Sequence, residues 1–324
     1  MTGKTNEDST IGAMFGADQA ETFMGLPPAG THTIPKGTGA AILGVPSATP
    51  YPWVGAYCAK GPRAIRDAMG GYAANLEHPD LDHGEPMLGF TGFSAVDCGD
   101  LDTNPDDPTA ARAAIRAATR GILNAGAVPL ILGGDDSVPI PVLAAYTGRE
   151  PITILQIDAH IDWRDSVRGE SFGLSSTMRR ASEMEHIAGI VQVGQRAIGS
   201  AQTGDVLDAR RWGVNFVSAR TIHEMGIAPV VEAIEPGSNI FISLDVDAFD
   251  PSVVPAVIGR APGGLTYWQV IEMIEQVAAR GTIAGFAMVE LMPERDLDGI
   301  GALVAARTLC NVIAAIRRQA ERAI

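Results

Sequence analysis

The chain has 324 residues, 46% hydrophobic and 19% charged, enough to bury a large core. Its formal net charge of −14 repels phosphate backbones and anionic lipid, which argues against nucleic acid and membranes as partners. Three widely spaced cysteines (Cys58, Cys98, Cys310), no signal-type apolar core in MTGKTNEDST and no run of ~20 apolar residues predict a reduced, cytoplasmic protein.

Residues 1–38 are rich in Gly, Thr and Pro, lack a period, and are expected to form an irregular arm ahead of one domain over 39–324. The apolar groups between Glu21 and Ala29 predict that part of the arm docks, and in an oligomer it is expected to contact a neighbouring subunit. An apolar run over 40–46 reads as a buried strand. Gly61-Pro62-Arg63 opens a helix with Pro in its first turn. A strand over 93–97 is followed by a turn at Cys98-Gly99-Asp100, then a helix over 109–125 and a strand over 128–132 that runs into Gly133-Gly134. Further strands are expected over 152–157, 189–193, 214–217, 239–244 and 283–289, with a closing helix over 300–316. Continuous apolar strands alternating with helices predict an α/β fold, a parallel sheet covered on both faces.

Chemistry concentrates where two of these strands end. Gln156-Ile157-Asp158-Ala159-His160-Ile161-Asp162 carries Asp, His and Asp at every second position, and residues two apart in an extended chain share a side. Open α/β sheets place their sites at this carboxyl edge. Carboxylates with an imidazole suit a divalent metal, although a polar turn after a buried strand has the same composition. Phe241-Ile242-Ser243-Leu244-Asp245-Val246-Asp247 repeats the design. Burying five such groups without a cation costs several kcal/mol per unpaired charge, so the two segments together point to bound metal.

Asp158-Ala159-His160-x-Asp162 and Ser243-x-Asp245-Val246-Asp247-x-x-Asp250-Pro251 resemble the two signature segments of the ureohydrolase family, which includes arginase, agmatinase and related guanidino-acid hydrolases. Gly61-Pro62-x-x-Ile65-Arg66, Asp97-x-Gly99-Asp100, Gly133-Gly134-Asp135-x-Ser137, Gly263-Gly264-Leu265 and Val289-Glu290 match the same family in its order. The resemblance implies a single three-layer α/β/α domain with an eight-stranded parallel sheet. It implies two divalent ions, Mn²⁺ or Ni²⁺, roughly 3.5 Å apart and bridged by a hydroxide that attacks a guanidinium carbon. Asp158 and Asp245 would bridge the ions, Asp162 would complete one, and His160 and Asp247 the other. The products would be urea or a substituted urea and an amine. The family commonly forms trimers or hexamers, so a homo- or hetero-oligomer of ureohydrolase subunits is expected.

Three positions depart from the family pattern. Asp136 stands where the family carries a metal-binding His, and is either a ligand or a solvated loop residue. Leu174 falls at the place of a proton-transferring His; His186 is the nearest imidazole in sequence, read as a surface residue on a helix. Ala261, after Arg260, replaces a Glu that pairs with the substrate guanidinium. Glu290 and Glu170 remain as carboxylates for that task, with a structural place under the metals as the other reading of Glu290. Asp162 and Glu290 are the candidate catalytic carboxylates. Of Trp53, Trp163 and Trp268, Trp163 is the candidate for stacking a flat cation, because it adjoins Asp162.

The departures argue for a guanidine-type substrate other than arginine or agmatine, such as a guanidine or a biguanide of the metformin kind. The alternatives are a non-catalytic or regulatory subunit of a mixed ureohydrolase oligomer, an agmatinase proper, and amide hydrolysis of the deacetylase type on the same scaffold.

Overall fold

In the computed structural model, which describes residue 14 and residues 20–51, 53–90 and 92–322, the apolar runs pair as one eight-stranded sheet. Its strands are β1 (Ala40–Val45), β2 (Ala95–Asp100), β3 (Val128–Gly133), β4 (Ile152–Ile157), β5 (Ile187–Val193), β6 (Asn215–Val217), β7 (Asn239–Asp245) and β8 (Thr282–Val289). They lie in the order β2-β1-β3-β8-β7-β4-β5-β6, all parallel.

Strand alternation creates the three layers. Ile42, Leu130, Leu155, Ile242 and Met288 face one core, shared with helices Gly61–Gly70, Tyr267–Arg280 and Ile300–Arg322. Their chain neighbours Leu43, Ile131, Ile154, Phe241 and Val289 face the other, shared with helices Pro108–Asn124, Pro139–Ala144 and Thr177–Ala181. The expected α/β/α sandwich is the fold observed.

Two boundaries differ from expectation for physical reasons. Cys98-Gly99-Asp100 is not a turn. Gly99 has φ +70° and sits where β1 pairs Ile42 with Asp97 and Gly44 with Asp100, so it is the extra residue of a bulge inside β2. The closing helix continues to Arg322, and by length and composition it alone among the described residues could cross a membrane. Its apolar side chains are instead buried in the core, which accounts for their composition.

Three apolar groups of the arm, Phe23, Met24 and Leu26, are buried within the chain, while Met14 is exposed. Phe23 and Leu26 are fully buried in the first core, so this part of the arm docks on the chain's own domain. Its anchor is Asp97 in β2, which accepts from the Phe23 N–H at 2.8 Å and from Arg66 Nε and Nη2 at 2.8 and 2.9 Å. Backbone bonds at Pro27 and Ala29 continue along the same residue. Of the arm, residues 1–13 and 15–19 lie outside the described residues.

Asp97→Ala would leave the Arg66 guanidinium buried with only part of its pairing and free the 22–29 segment. The expected loss is about 3 kcal/mol or more, measured by denaturant unfolding, with faster proteolysis ahead of residue 29.

Candidate metal centre and active site

Strand register assembles the centre. Ile157 of β4 lies opposite Leu244 of β7, so Asp158 and Asp245 emerge side by side. Asp245 lies opposite Val289 of β8, which puts Glu290 at the same edge. Leu132 of β3 lies opposite Met288, and the Glu290 N–H donates to the Gly134 carbonyl at 2.8 Å. The central strands β3, β8, β7 and β4 thus deliver Asp136, Glu290, Asp245 and Asp158 to one rim. Gly134 is required there, because a methyl group would overlap the Ser47 carbonyl.

Two triads form. Asp136, Asp158 and Asp162 each offer an oxygen within 4.8 Å of the others, and Asp158, His160 and Asp247 do the same with the imidazole included. Asp158 belongs to both. Asp245 lies outside the triads but beside Asp158, and one of its oxygens accepts from the Asp247 N–H at 2.7 Å. His160 Nδ1 lies 3.4 Å from Asp158 Oδ1 and 3.1 Å from Asp247 Oδ2. Two members sit in the left-handed backbone region that non-glycine residues avoid, Asp162 at φ +43° and Glu290 at φ +70°. Strain of that kind gathers at functional sites.

The cluster is electrostatically frustrated. Burial, compounded by neighbouring carboxylates, pushes Asp136, Asp162 and Asp245 well above the usual carboxylate range and raises Asp247. Burial and then Asp135 push Glu290 up to about 8. Hydrogen bonds donated to the Asp158 and Asp247 carboxylates raise His160 to about 12. The Asp136 Oδ2 oxygen is buried without a partner. Oxygen-rich donors with one imidazole, several carrying charges that burial opposes, fit divalent cations.

Asp136 is 3% exposed, so it is no solvated loop residue. Glu290 lies beneath the centre, its carboxylate accepting from the Tyr57 hydroxyl at 2.8 Å and from the Asp136 N–H at 2.9 Å. Trp163 is a correction. It is 1% exposed, packs edge-on against Trp212 at 6.1 Å and directs Nε1 toward Asp208, so it belongs to the second core and offers no stacking face. Trp53 and Trp268 are both exposed; Trp53 stacks on Tyr51 at 5.1 Å with the Arg168 guanidinium 4.4 Å over its ring. His186 is buried just before β5 and bonds to the Leu143 carbonyl at 2.9 Å, rather than riding a surface helix. The Leu174 N–H donates to Thr49 Oγ1, and Glu170 caps its own loop through the Phe172 N–H. Arg260 turns to the Pro255 and Arg295 carbonyls.

Side chains behind the candidate ligands hold them in place, and no motif in the sequence marks them. Gln156 Nε2 donates to Asp158 Oδ2 at 2.9 Å and to Asp162 Oδ2 at 2.7 Å, and its own oxygen accepts from Gln192, its register partner in β5. Gln156 lies two residues before Asp158 on the same alternation, the one signal that could have marked it. Arg196 joins the carbonyls of Asp247, Phe249 and Ala261 at 2.7 to 3.1 Å, tying the Ala261 loop to the ligand strand. A cleft of about 860 Å³, lined by Ser47, Thr49, Tyr51, Asp102 and Asp106 among others but by none of the candidate ligands, meets the rim through Ser47 and Thr49. Thr49 also donates its N–H to Asp135 at 2.6 Å.

The arginase family model matches residues 38–315. An agmatinase of Pyrococcus horikoshii is 32% identical over 78% of this chain and 83% of the relative. A human mitochondrial guanidino acid hydrolase is 31% identical over 91% and 82%. The solved proclavaminate amidino hydrolase of Streptomyces clavuligerus superposes with a TM-score of 0.82 at 25% identity, covering 96% of this chain and all of that one.

The raised carboxylates make a stability prediction for chelator-treated protein. A carboxyl whose folded pKa is raised stabilises the fold while protonated and loses that contribution as pH climbs from its unfolded value, near 4, through its folded value. Glu290 places the upper end near pH 8. The melting temperature should therefore fall steadily from pH ~4.5 to ~8, and millimolar divalent ion should restore it. A flat profile under chelation would contradict the frustration.

Proposed function

The chain belongs to the arginase family and is an amidinohydrolase, and we propose that it cleaves a C–N bond of a guanidine or biguanide to give urea or a substituted urea and an amine. The two triads sharing Asp158 carry this reading. Divalent ions seated there, two in number and Mn²⁺ or Ni²⁺ in kind, would acidify water into the neutral range beside the guanidinium carbon.

The chain's own residues divide the remaining work. Asp158, His160, Asp162, Asp245 and Asp247, with Asp136, form the seat. Gln156 fixes the orientation of Asp158 and Asp162 by holding one oxygen of each. Glu290, with its oxygens on Tyr57 and the Asp136 N–H, positions the Asp136 backbone. Five carboxylates outweigh two dications by one charge, which favours a cationic ligand. The Asp102 and Asp106 wall of the cleft favours the same sign of charge.

Substrate choice rests on the loop at Ala261. It presents no carboxylate side chain, and its carbonyl is occupied by Arg196. A substrate that relies on a carboxylate there loses a charge-assisted pair, whereas a compact or alkylated guanidine, or a biguanide with spread charge, loses less. A specific observation supports a second reading: Leu174 leaves no imidazole at the proton-transfer position, which fits a partner subunit in a mixed oligomer. Cytoplasmic assembly into trimers or hexamers belongs to either reading.

A panel of arginine, agmatine, alkylguanidines and biguanides, assayed for urea and amine release with Mn²⁺ or Ni²⁺, separates the readings. Turnover of a guanidine or biguanide above agmatine is expected, and Ala261→Glu should shift preference toward agmatine by on the order of tenfold. Ordinary agmatine hydrolysis would make the chain an agmatinase that recognises its substrate differently. No turnover by a metal-loaded chain would support the partner-subunit reading.

A further inference from the structure

The two halves of the centre are not built alike. Asp136, Asp158 and Asp162 supply oxygen alone, while Asp158, His160 and Asp247 include an imidazole nitrogen. The difference lies in Asp136, and its surroundings are those of a fixed ligand. The Thr177 hydroxyl donates to its carbonyl, and its N–H donates to Glu290 at 2.9 Å, so its backbone is held on both sides. Its side chain is 3% exposed, and its Oδ2 has no hydrogen-bond partner. A buried, unpartnered carboxylate oxygen beside two more carboxylates calls for a cation.

We propose that the centre is asymmetric in metal preference, with Asp136, Asp158 and Asp162 forming a hard, all-oxygen seat for an ion such as Mn²⁺ and Asp158, His160 and Asp247 forming a mixed seat for a borderline ion such as Ni²⁺. This rests on the reading of the cluster as a two-ion centre. Oxygen-only sets suit Mn²⁺, and imidazole suits Ni²⁺ and Zn²⁺. Nearly any site binds Ni²⁺ more tightly than Mn²⁺ in the ordinary affinity order, so what differs between the seats is the margin. The nitrogen of His160 widens it and the third carboxylate narrows it. Gln156 engages one oxygen of Asp162, which belongs to the oxygen-only seat alone, and one of Asp158, whose other oxygen accepts from the His160 N–H.

The test uses stripped full-length protein, with ion content read by elemental analysis and Mn²⁺ environment by electron paramagnetic resonance. Given one equivalent each of Mn²⁺ and Ni²⁺, the chain is expected to retain both, with Mn²⁺ in an oxygen-only environment. Asp136→His should raise the Ni²⁺-over-Mn²⁺ preference of that seat by on the order of tenfold or more. Asp136→Asn should lose the Mn²⁺ and keep one Ni²⁺. Because the native titration needs no variant, a misfolded substitution leaves the test intact. Mn²⁺ that shows nitrogen coupling, or that is not retained, after the mixed loading, or Asp136→His leaving the preference unchanged, overturns the proposal. Failure here is separable from failure of the function: a chain that holds one ion of each kind yet hydrolyses no guanidino compound overturns only the function, and an active chain with two equivalent ions overturns only the asymmetry.

Discussion

Mutual repulsion among buried carboxylates is the constraint around which the rest of this chain is arranged. Asp136, Asp158, Asp162, Asp245 and Asp247 are all at least nine-tenths buried at one sheet edge. Among the described residues the His160 imidazole, raised to about 12 by Asp158 and Asp247, offers them opposite charge at close range, with the Arg196 guanidinium on the Asp247 carbonyl. No packing gain of ordinary size offsets that many desolvated charges. The surroundings therefore share the load: Gln156 donates to two of them, and backbone N–H groups of Ala159, His160 and Asp247 donate to Asp247, Asp158 and Asp245. The left-handed backbone is held at Asp162 by the Met178 and Arg179 N–H groups on its carbonyl, and at Glu290 by its N–H on the Gly134 carbonyl.

The sandwich serves that cluster. A parallel sheet has all its strands ending on one side, so central strands in register can bring acids from four separate stretches of sequence within a few ångströms. The two cores hold this register by gripping opposite faces of the same strands, as Leu155 and Ile154 do. Arg196 and the Gln156–Gln192 pair extend the control sideways, to the loop at Ala261 and to β5.

What was legible in the sequence follows from the same physics. Strands that bury both faces leave continuous apolar runs, so all eight could be located, and ligands two residues apart at strand ends stand out against that background. The bulge at Gly99 was read as a turn because a positive-φ glycine looks the same in either setting. Trp163 was misplaced because adjacency to Asp162 says nothing of direction, and the chain turns at Asp162 with φ +43°. His186, Arg196 and Tyr57 act through contacts more than forty residues distant in sequence, which no local pattern encodes. Asp136 could be seen as a departure, but its burial and its free oxygen are properties of the assembled rim.

If cation neutralisation at Asp158 is the organising interaction, its location can be measured directly. Crystals of the protein soaked in Mn²⁺ and measured at the manganese absorption edge should give two anomalous peaks per chain, one among Asp136, Asp158 and Asp162 and one among Asp158, His160 and Asp247. A single peak, or peaks that do not share Asp158, would contradict the account.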